Sequence, residues 1–276
     1  MTYAGGKSYD GDWCYGQREG KGMQRWADGD VYTGEWHTGA MEGRGAMQFA
    51  VGHLYTGDFV ADVAQGNGMM QWANGNAYTG EWESGKMHGV GEYRWVGGSV
   101  YVGEFDSDLR EGHGVMQFSN GDVFEGDYAV DKMQGEGVFR YRNGDCYEGE
   151  FRDGKRHGRS RYAYAGGKVD VAFYAEDRMM GEAARWSADR KHALLLRDGI
   201  AIEKISQVKA AAIAANLGVP TPGPAPGTAP SSPSPSTLPS PKPAPSPVAA
   251  ASRRPLPARS HLNVLTLGAP MTALEA

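Results

Sequence analysis

Proline is absent from the first 219 residues of this 276-residue chain; all fifteen prolines lie at or after Pro220. Cysteine is nearly absent as well. Cys14 and Cys146 are the only two, which excludes a disulfide framework and suits a reducing compartment. No apolar run approaches the roughly 20 residues needed to span a membrane. Residues 1–7 lack the apolar stretch of a signal peptide, so secretion is not expected. Positive charge is scarce over most of the length. The chain is −5 in all, yet residues 218–276 carry four basic residues against Glu275, which leaves the preceding body with 24 basic and 32 acidic residues, a net −8. An acidic body without clustered Lys and Arg excludes a general phosphate-backbone binder and disfavours an anionic lipid surface.

What the body does have is glycine and aromatic rings. The chain holds 41 glycines and 11% aromatics, with 40% hydrophobic residues, a balance that points to β structure with regular turns rather than helices. These residues recur with a fixed period. Units begin at Tyr9, Tyr32, Tyr55, Tyr78, Tyr101, Phe124 and Tyr147, 23 residues apart each time, with no insertion. The third position of every unit is glycine (Gly11, Gly34, Gly57, Gly80, Gly103, Gly126, Gly149), and the fourth is Asp or Glu. The fifth is an aromatic ring: Trp13, Trp36, Phe59, Trp82, Phe105, Tyr128, Phe151. A later glycine column runs from Gly20 to Gly158, a second aromatic column from Trp26 to Tyr164, and a closing glycine column from Gly29 to Gly167.

Each unit reads as a hairpin. Aromatic–x–Gly–x–aromatic places both rings and the glycine on one face of a strand, and the glycine leaves room for rings to pack across it. The segment Ser84-Gly85-Lys86-Met87-His88-Gly89 carries the hairpin turn of the fourth unit, and Asp28-Gly29, Asn74-Gly75, Asn120-Gly121 and Asn143-Gly144 mark tight turns into the next. One hairpin cannot bury its aromatic face; stacked copies can. The third, fifth and sixth units carry Asp62, Asp108 and Asp131 at the mid-turn glycine, and the seventh has Ser160 in place of a glycine.

The run Tyr78-Thr79-Gly80-Glu81-Trp82-Glu83-Ser84-Gly85-Lys86-Met87-His88-Gly89-Val90-Gly91 resembles the MORN repeat in full, the "membrane occupation and recognition nexus", and 147–158 nearly so. The resemblance covers about residues 3–169. It implies an all-β fold: an elongated twisted antiparallel sheet of tandem 23-residue hairpins. Residues 1–8 form an N-terminal half repeat, 9–169 the seven full units, and 170–217 a degenerate unit, a hairpin around Asp198-Gly199 and a helix from Glu203 to Leu217. Ile205, Val208, Ala212 and Ile213 share one helix face, and a helix there would cap the last sheet edge. Residues 218–276 form a Pro/Ala/Ser-rich tail, extended and semi-rigid, with a candidate docking segment at 252–267 where Arg253, Arg254, Leu262, Val264 and Leu265 supply basic and apolar character.

Nothing in this pattern asks for catalysis. Gly80-x4-Gly85-Lys86 and Gly149-x4-Gly154-Lys155 brush against a phosphate-loop pattern but lack the following Ser or Thr. There is no HExxH or CxxC, so neither a metal nor another cofactor is expected. The acidic column recurs in every unit and reads as a hydrogen-bonded strand face. Candidate partner-binding residues are the mild outward positions on the second strands: Gln48, Met69, Gln71, Val115 and Gln117. Chains similar to this one, nearly all repeat with a short tail, are often components of ciliary axonemes, basal bodies and membrane–cytoskeleton junctions. The resemblance therefore implies a non-enzymatic, cytoplasmic, cytoskeletal scaffold of a ciliary or flagellar axoneme, associated with doublet microtubules or radial-spoke-like. Its partners would be axonemal or cytoskeletal proteins, tubulin among them, and not nucleic acid. The alternative is a phospholipid-associated adaptor between membrane and cytoskeleton.

Overall fold

A computed structural model describes residues 6–225 of the chain. Residues 1–5 of the half repeat at 1–8, most of the tail and the docking residues Arg253, Arg254, Leu262, Val264 and Leu265 lie outside the described residues. Eighteen strands and one helix make up the described part. They divide into two compact units, here called the N-unit (residues to Gly98, with Glu104–Leu109) and the C-unit (Ser99–Gly103, with 110–225). The first eight strands are β1 (Ser8–Cys14), β2 (Gln17–Arg25), β3 (Val31–His37), β4 (Ala40–Gln48), β5 (Leu54–Val60), β6 (Val63–Gln71), β7 (Ala77–Glu83) and β8 (Lys86–Arg94). After β9 (Val100–Asp106) come β10 (Leu109–Gln117), β11 (Val123–Ala129), β12 (Lys132–Arg140), β13 (Cys146–Arg152), β14 (Lys155–Ala163), β15 (Val169–Ala175), β16 (Arg178–Trp186), β17 (Ala193–Arg197), β18 (Ile200–Ile205) and the helix α1 (Gln207–Leu217). From β1 to β8 and from β10 to β18, every strand pairs antiparallel with the next. Each 23-residue unit is one seven-residue strand and one nine-residue strand, as its alternation dictates.

The core of the repeats lies on one face, the tyrosine face. Tyr32, Tyr55, Tyr78 and Tyr147 are fully buried although the sheet is a single layer. Two features bury them. The first is a facing pair of glycines. Gly34 stands opposite Gly45, and a Cβ built on either would come within 2.4 Å of the Tyr32 hydroxyl oxygen, so the phenol ring lies flat across both backbones. The second is the neighbouring unit. Tyr55 meets Phe59 of its own unit at 5.1 Å and Trp82 of the next at 5.2 Å, both edge-to-face. The same zigzag runs Tyr9–Trp36, Tyr32–Phe59 and Tyr78–Phe105 in the N-unit, and Tyr101–Tyr128, Phe124–Phe151 and Tyr147–Tyr174 in the C-unit. Such contacts contribute about 0.5–1.5 kcal/mol each beyond burial. Trp13 of the first unit is 42% exposed, whereas Trp36 and Trp82 are 3% and 2%.

The later glycine column is not part of the turn. Gly89 sits in β8 with φ +55, and the register slips there, Gly80 opposite Gly91 but Glu81 opposite His88. This is a glycine bulge, for which positive φ is needed. The turn itself is two residues, Ser84 and Gly85, both with positive φ (54° and 79°). A Cβ at Gly89 would meet the Glu81 carboxylate within 3 Å, which shows what the acidic column does. Glu81 accepts the Val90 N–H that the bulge frees; Asp58 does so for Asn67, and Glu150 for Arg159. The bulge also frees the carbonyl of the acidic residue itself, and the tyrosine hydroxyl donates to it: Tyr32 to Glu35 O, Tyr78 to Glu81 O and Tyr147 to Glu150 O, each at 2.9 Å.

Successive hairpins are joined at the two-residue turns. Gly85 N–H donates to Ala64 O, and Asp62 N–H to Met41 O. Where Asp replaces glycine it adopts the same left-handed conformation, and its carboxylate accepts the backbone N–H of the residue 21 earlier: Asp62 from Met41 at 2.8 Å, Asp108 from Met87 at 2.9 Å, Asp131 from Arg110 at 2.9 Å. The aspartates that depart from the repeat are therefore added inter-hairpin bonds. At the last unit the tyrosine column ends in Asp170. It is fully buried and held by Arg185 at 2.6 Å and by the Tyr164 hydroxyl at 2.9 Å.

Substitution tests the tyrosine–glycine packing. Gly80→Ala drives a methyl into the Tyr78 ring and the Gly91 backbone, and is expected to cost about 2–3 kcal/mol in urea unfolding. Tyr78→Phe loses only the hydroxyl's bonding to Glu81 O and His88 O, about 1 kcal/mol. Alkaline pH gives a second test. Burial pushes the hydroxyls of Tyr32, Tyr55, Tyr78 and Tyr147 far above their ordinary value of 10.0. The folded state keeps these protons while the unfolded chain loses them, so stability is intact below about pH 10 and falls as pH rises beyond it. The tyrosinate absorbance of these four buried rings should appear together with loss of the β-sheet circular dichroism signal, in one transition.

Candidate interaction surface

The side chains opposite the tyrosine face form continuous rows, because directly paired residues share a face. In the N-unit the inner row is Met23, Thr33, Ala46, Thr56, Met69 and Thr79, ending at Glu92. Beside it, nearer the closing turns, runs Arg25, Val31, Gln48, Leu54, Gln71, Ala77 and Arg94. The inner row carries no charge over six strands, from β2 to β7. A shallow groove runs along it, lined by Thr33, Ala46, Thr56, Met69 and Thr79, with Arg44, Asn67, Glu81 and Val90 on its third side.

The C-unit repeats the plan with more charge. Its inner row is Val115, Glu125, Val138, Glu148 and Arg161, and its outer row Gln117, Val123, Arg140, Cys146 and Ala163. Arg161 pairs with Glu148 at 2.9 Å and Arg140 with Glu125 at 3.1 Å, which partly neutralises the surface. Each of the five sequence candidates falls on the face opposite the tyrosines in its own unit: Met69 in the N-unit's inner row and Gln48 and Gln71 in its outer row, Val115 in the C-unit's inner row and Gln117 in its outer row. Only Met69 lines a groove directly. The repeat residues from Gly11 and Trp13 through Gly149 and Phe151 belong to the tyrosine face.

Past Arg161 the same rows turn aliphatic. The inner one continues through Val171, Ala184 and Leu195, the outer one through Val169, Trp186 and Ala193. Here the chain covers them itself. Ala210, Ile213 and Ala214 of α1 pack on Val171, Ala184, Trp186 and Leu195, with Leu217 and Val219 alongside. The expected helix exists, but its start, face and place differ from the sequence reading. β18 extends to Ile205, and Ser206 caps the helix by accepting the Lys209 N–H. The buried stripe is Ala210, Ile213, Ala214 and Leu217, and Val208 is 80% exposed. The helix contacts β15, β16 and β17, so it covers the sheet's face and not its last edge. The physical reason is the row it lies on: Val171, Ala184 and Leu195 would otherwise leave an aliphatic strip in water. Sequence periodicity could have found this, since β15–β17 are apolar on both faces where earlier strands are apolar on one.

After the αL cap at Gly218, the chain stays on this face. Gly218, Val219, Pro220, Thr221, Pro222 and Gly223 form one wall of the C-unit groove, facing Glu136, Val138, Glu148, Arg159 and Arg161. Arg190 holds the far end, donating from Nε to Gly223 O at 3.3 Å.

Gly80 and Gly85-Lys86 fall in β7, its two-residue turn and the start of β8, not in a strand–loop–helix cradle. Among the described residues no group of three His, Cys, Asp or Glu side chains could hold a metal ion, and no helix is long and apolar enough to cross a membrane. Cys14 and Cys146 are free thiols.

The MORN repeat family model matches seven consecutive segments, residues 9–31, 32–54, 55–77, 78–100, 101–123, 124–146 and 147–169, which coincide with the hairpin units. The chain belongs to the MORN-repeat proteins, a family defined by a structural repeat and not by an active site. No curated protein matches it. Among solved structures it is similar to the TCP10 domain of Danio rerio CPAP, at 12% identity and a TM-score of 0.43, covering 75% of this chain and 98% of that one. It is similar also to the G-box domain of the microcephaly protein CPAP (13% identity, TM-score 0.41, covering 63% and 90%). A third is the SAS-4 TCP domain of Drosophila melanogaster in complex with a proline-rich motif of Ana2 (12% identity, TM-score 0.38, covering 63% and 94%). These distant likenesses add nothing to the family assignment, which rests on the repeats.

Ile213→Asp tests whether α1 is held by these rows. Burying a carboxylate among Val171, Ala184 and Leu195 is expected to cost about 2–4 kcal/mol. The undocked helix would open Trp186, now 4% exposed, to iodide quenching.

Proposed function

We propose that this protein is a non-enzymatic scaffold that receives an extended segment of a partner protein across the face opposite its tyrosines, as a component of a ciliary or flagellar axoneme. One observation carries the docking part. The uncharged inner row at β2–β7 and the outer row beside it have counterparts in the C-unit that the chain covers with its own helix and its own extended segment. The face therefore has the width and chemistry to hold a helix or strand-like peptide, and in the N-unit no described residue covers it. The ends of the N-unit's outer row, Arg25 and Arg94, would flank such a segment.

The axonemal part rests on the family resemblance and on the cytoskeletal settings common among repeat-only members. Doublet-microtubule proteins or radial-spoke-like assemblies are the partners this reading names, tubulin included. The lipid-adaptor alternative has less support: the body is acidic, and the mild inner row offers no cationic cluster for headgroups.

The test is a tagged copy in ciliated cells, with Thr56→Glu/Met69→Glu as the comparison. Both positions are exposed to the groove and outside the core, so melting should move by no more than a few degrees. The expected result is axonemal localisation of the natural chain and its loss in the variant. Diffuse or plasma-membrane signal for the natural chain, or salt-sensitive binding to anionic liposomes, would overturn the axonemal reading.

A further inference from the structure

The C-unit groove is bounded by the chain's own Gly218–Gly223 segment, and that segment has a conformational signature. Val219 and Pro222 are half-buried, whereas Pro220, Thr221 and Gly223 are exposed. A spacing of three is the period of a polyproline II helix. The segment is anchored at both ends. Val219 N–H bonds Ala214 O at 3.0 Å, and its side chain packs beside the α1 cluster. At the other end, Arg190 binds Gly223 O and, through Nη1, Gly167 O at 2.6 Å, so the chain is delivered to the closing-turn side of β14 and β15. The groove continues from there over β13, β12, β11 and β10, past Glu148, Val138, Glu125 and His113.

The sequence beyond Gly223 keeps the composition of the anchored segment. Residues 224–241 contain Pro224, Pro226, Pro230, Pro233, Pro235, Pro239 and Pro241 and no charged residue. An uncharged segment suits a groove whose Arg140–Glu125 and Arg161–Glu148 charges are already paired. Its length suffices. Four further strands at about 4.8 Å span roughly 19 Å, and polyproline II advances about 3.1 Å per residue, so about six or seven residues complete the crossing.

We infer that the proline-rich segment beginning at Pro224 is an intramolecular ligand of the C-unit groove, continuing the path of Val219–Gly223 along the rows of Val138 and Arg140. The inference rests on the proposed use of such faces for docking extended segments, and it adds regulation: the chain occupies the C-unit's docking face in cis. A partner segment must displace the tail there, while the N-unit rows bind independently of it.

Disulfide trapping in the full chain tests this. With Cys14→Ser and Cys146→Ser as background, Val115→Cys, in the same row as Val138 on β10, is combined with Ala229→Cys, six residues past Gly223; the control pairs Ala229→Cys with Val130→Cys, an exposed position at the opposite turns. Mild oxidation should give an intramolecular bond at least tenfold faster in the first pair than in the control. Equal rates would overturn the inference, and so would a bond that forms only between two chains. The outcome separates from that of the scaffold reading. Fast trapping with localisation unaffected by Thr56→Glu/Met69→Glu would sink the partner-docking function and leave the self-ligand standing. Lost localisation with equal trapping rates would do the reverse.

Discussion

The structure depends on a tyrosine ring laid across two glycines. Without side chains at Gly34 and Gly45 the Tyr32 phenol can lie against bare backbone, completely removed from water with no second layer of described residues above it. Other recurring features serve this arrangement. The bulge at Gly89 re-aims the strand and frees one N–H and one carbonyl, which the Glu81 carboxylate and the Tyr78 hydroxyl take up. Because each tyrosine also meets the ring of the following unit, burial in one hairpin requires the next, and stability passes from neighbour to neighbour. At the C-terminal end the pattern stops without an exposed ring: Asp170 takes the tyrosine's place, and Arg185 and Tyr164 satisfy it.

Committing one face to this packing leaves the other free. Its side chains contribute little to the fold, so they can be mild in the N-unit, charged and paired in the C-unit, and aliphatic under α1 without disturbing the repeat. A scaffold needs such a division, with one face set by stability and the other open to variation. The helix and the Val219–Gly223 segment show the second face already engaged by protein chain.

Much of this was legible in the sequence. The 23-residue period, the strand alternation and the shared face of Tyr, Gly and Trp follow from spacing alone, and so do the common face of Gln48, Met69, Gln71, Val115 and Gln117 and the two-residue Asp198-Gly199 turn. Contacts between units were not legible. Nothing local reveals that Asp62 reaches the N–H of Met41 or that Gly85 bonds Ala64 O, because those partners are defined by the stagger of one hairpin on the last. The Gly20-to-Gly158 column was assigned to the turn because glycine signals turns and bulges alike; only the register distinguishes them. The helix face was misplaced for a similar reason. Val208 is more apolar than Ala210, yet the close approach of α1 to Ala184 and Leu195 favours the smaller residue.

The central claim is that aromatic contact across unit boundaries couples the hairpins. A double-mutant cycle between Tyr55 and Trp82, whose rings lie 5.2 Å apart in successive units, measures it most directly. With each residue changed to Leu alone and together, urea unfolding should give a coupling energy of about 0.5–1.5 kcal/mol, and the Tyr9–Trp82 cycle, between rings of non-adjacent units, should be additive within about 0.5 kcal/mol. Additivity in the Tyr55–Trp82 cycle would contradict the account, because the rings would then carry no coupling between successive hairpins.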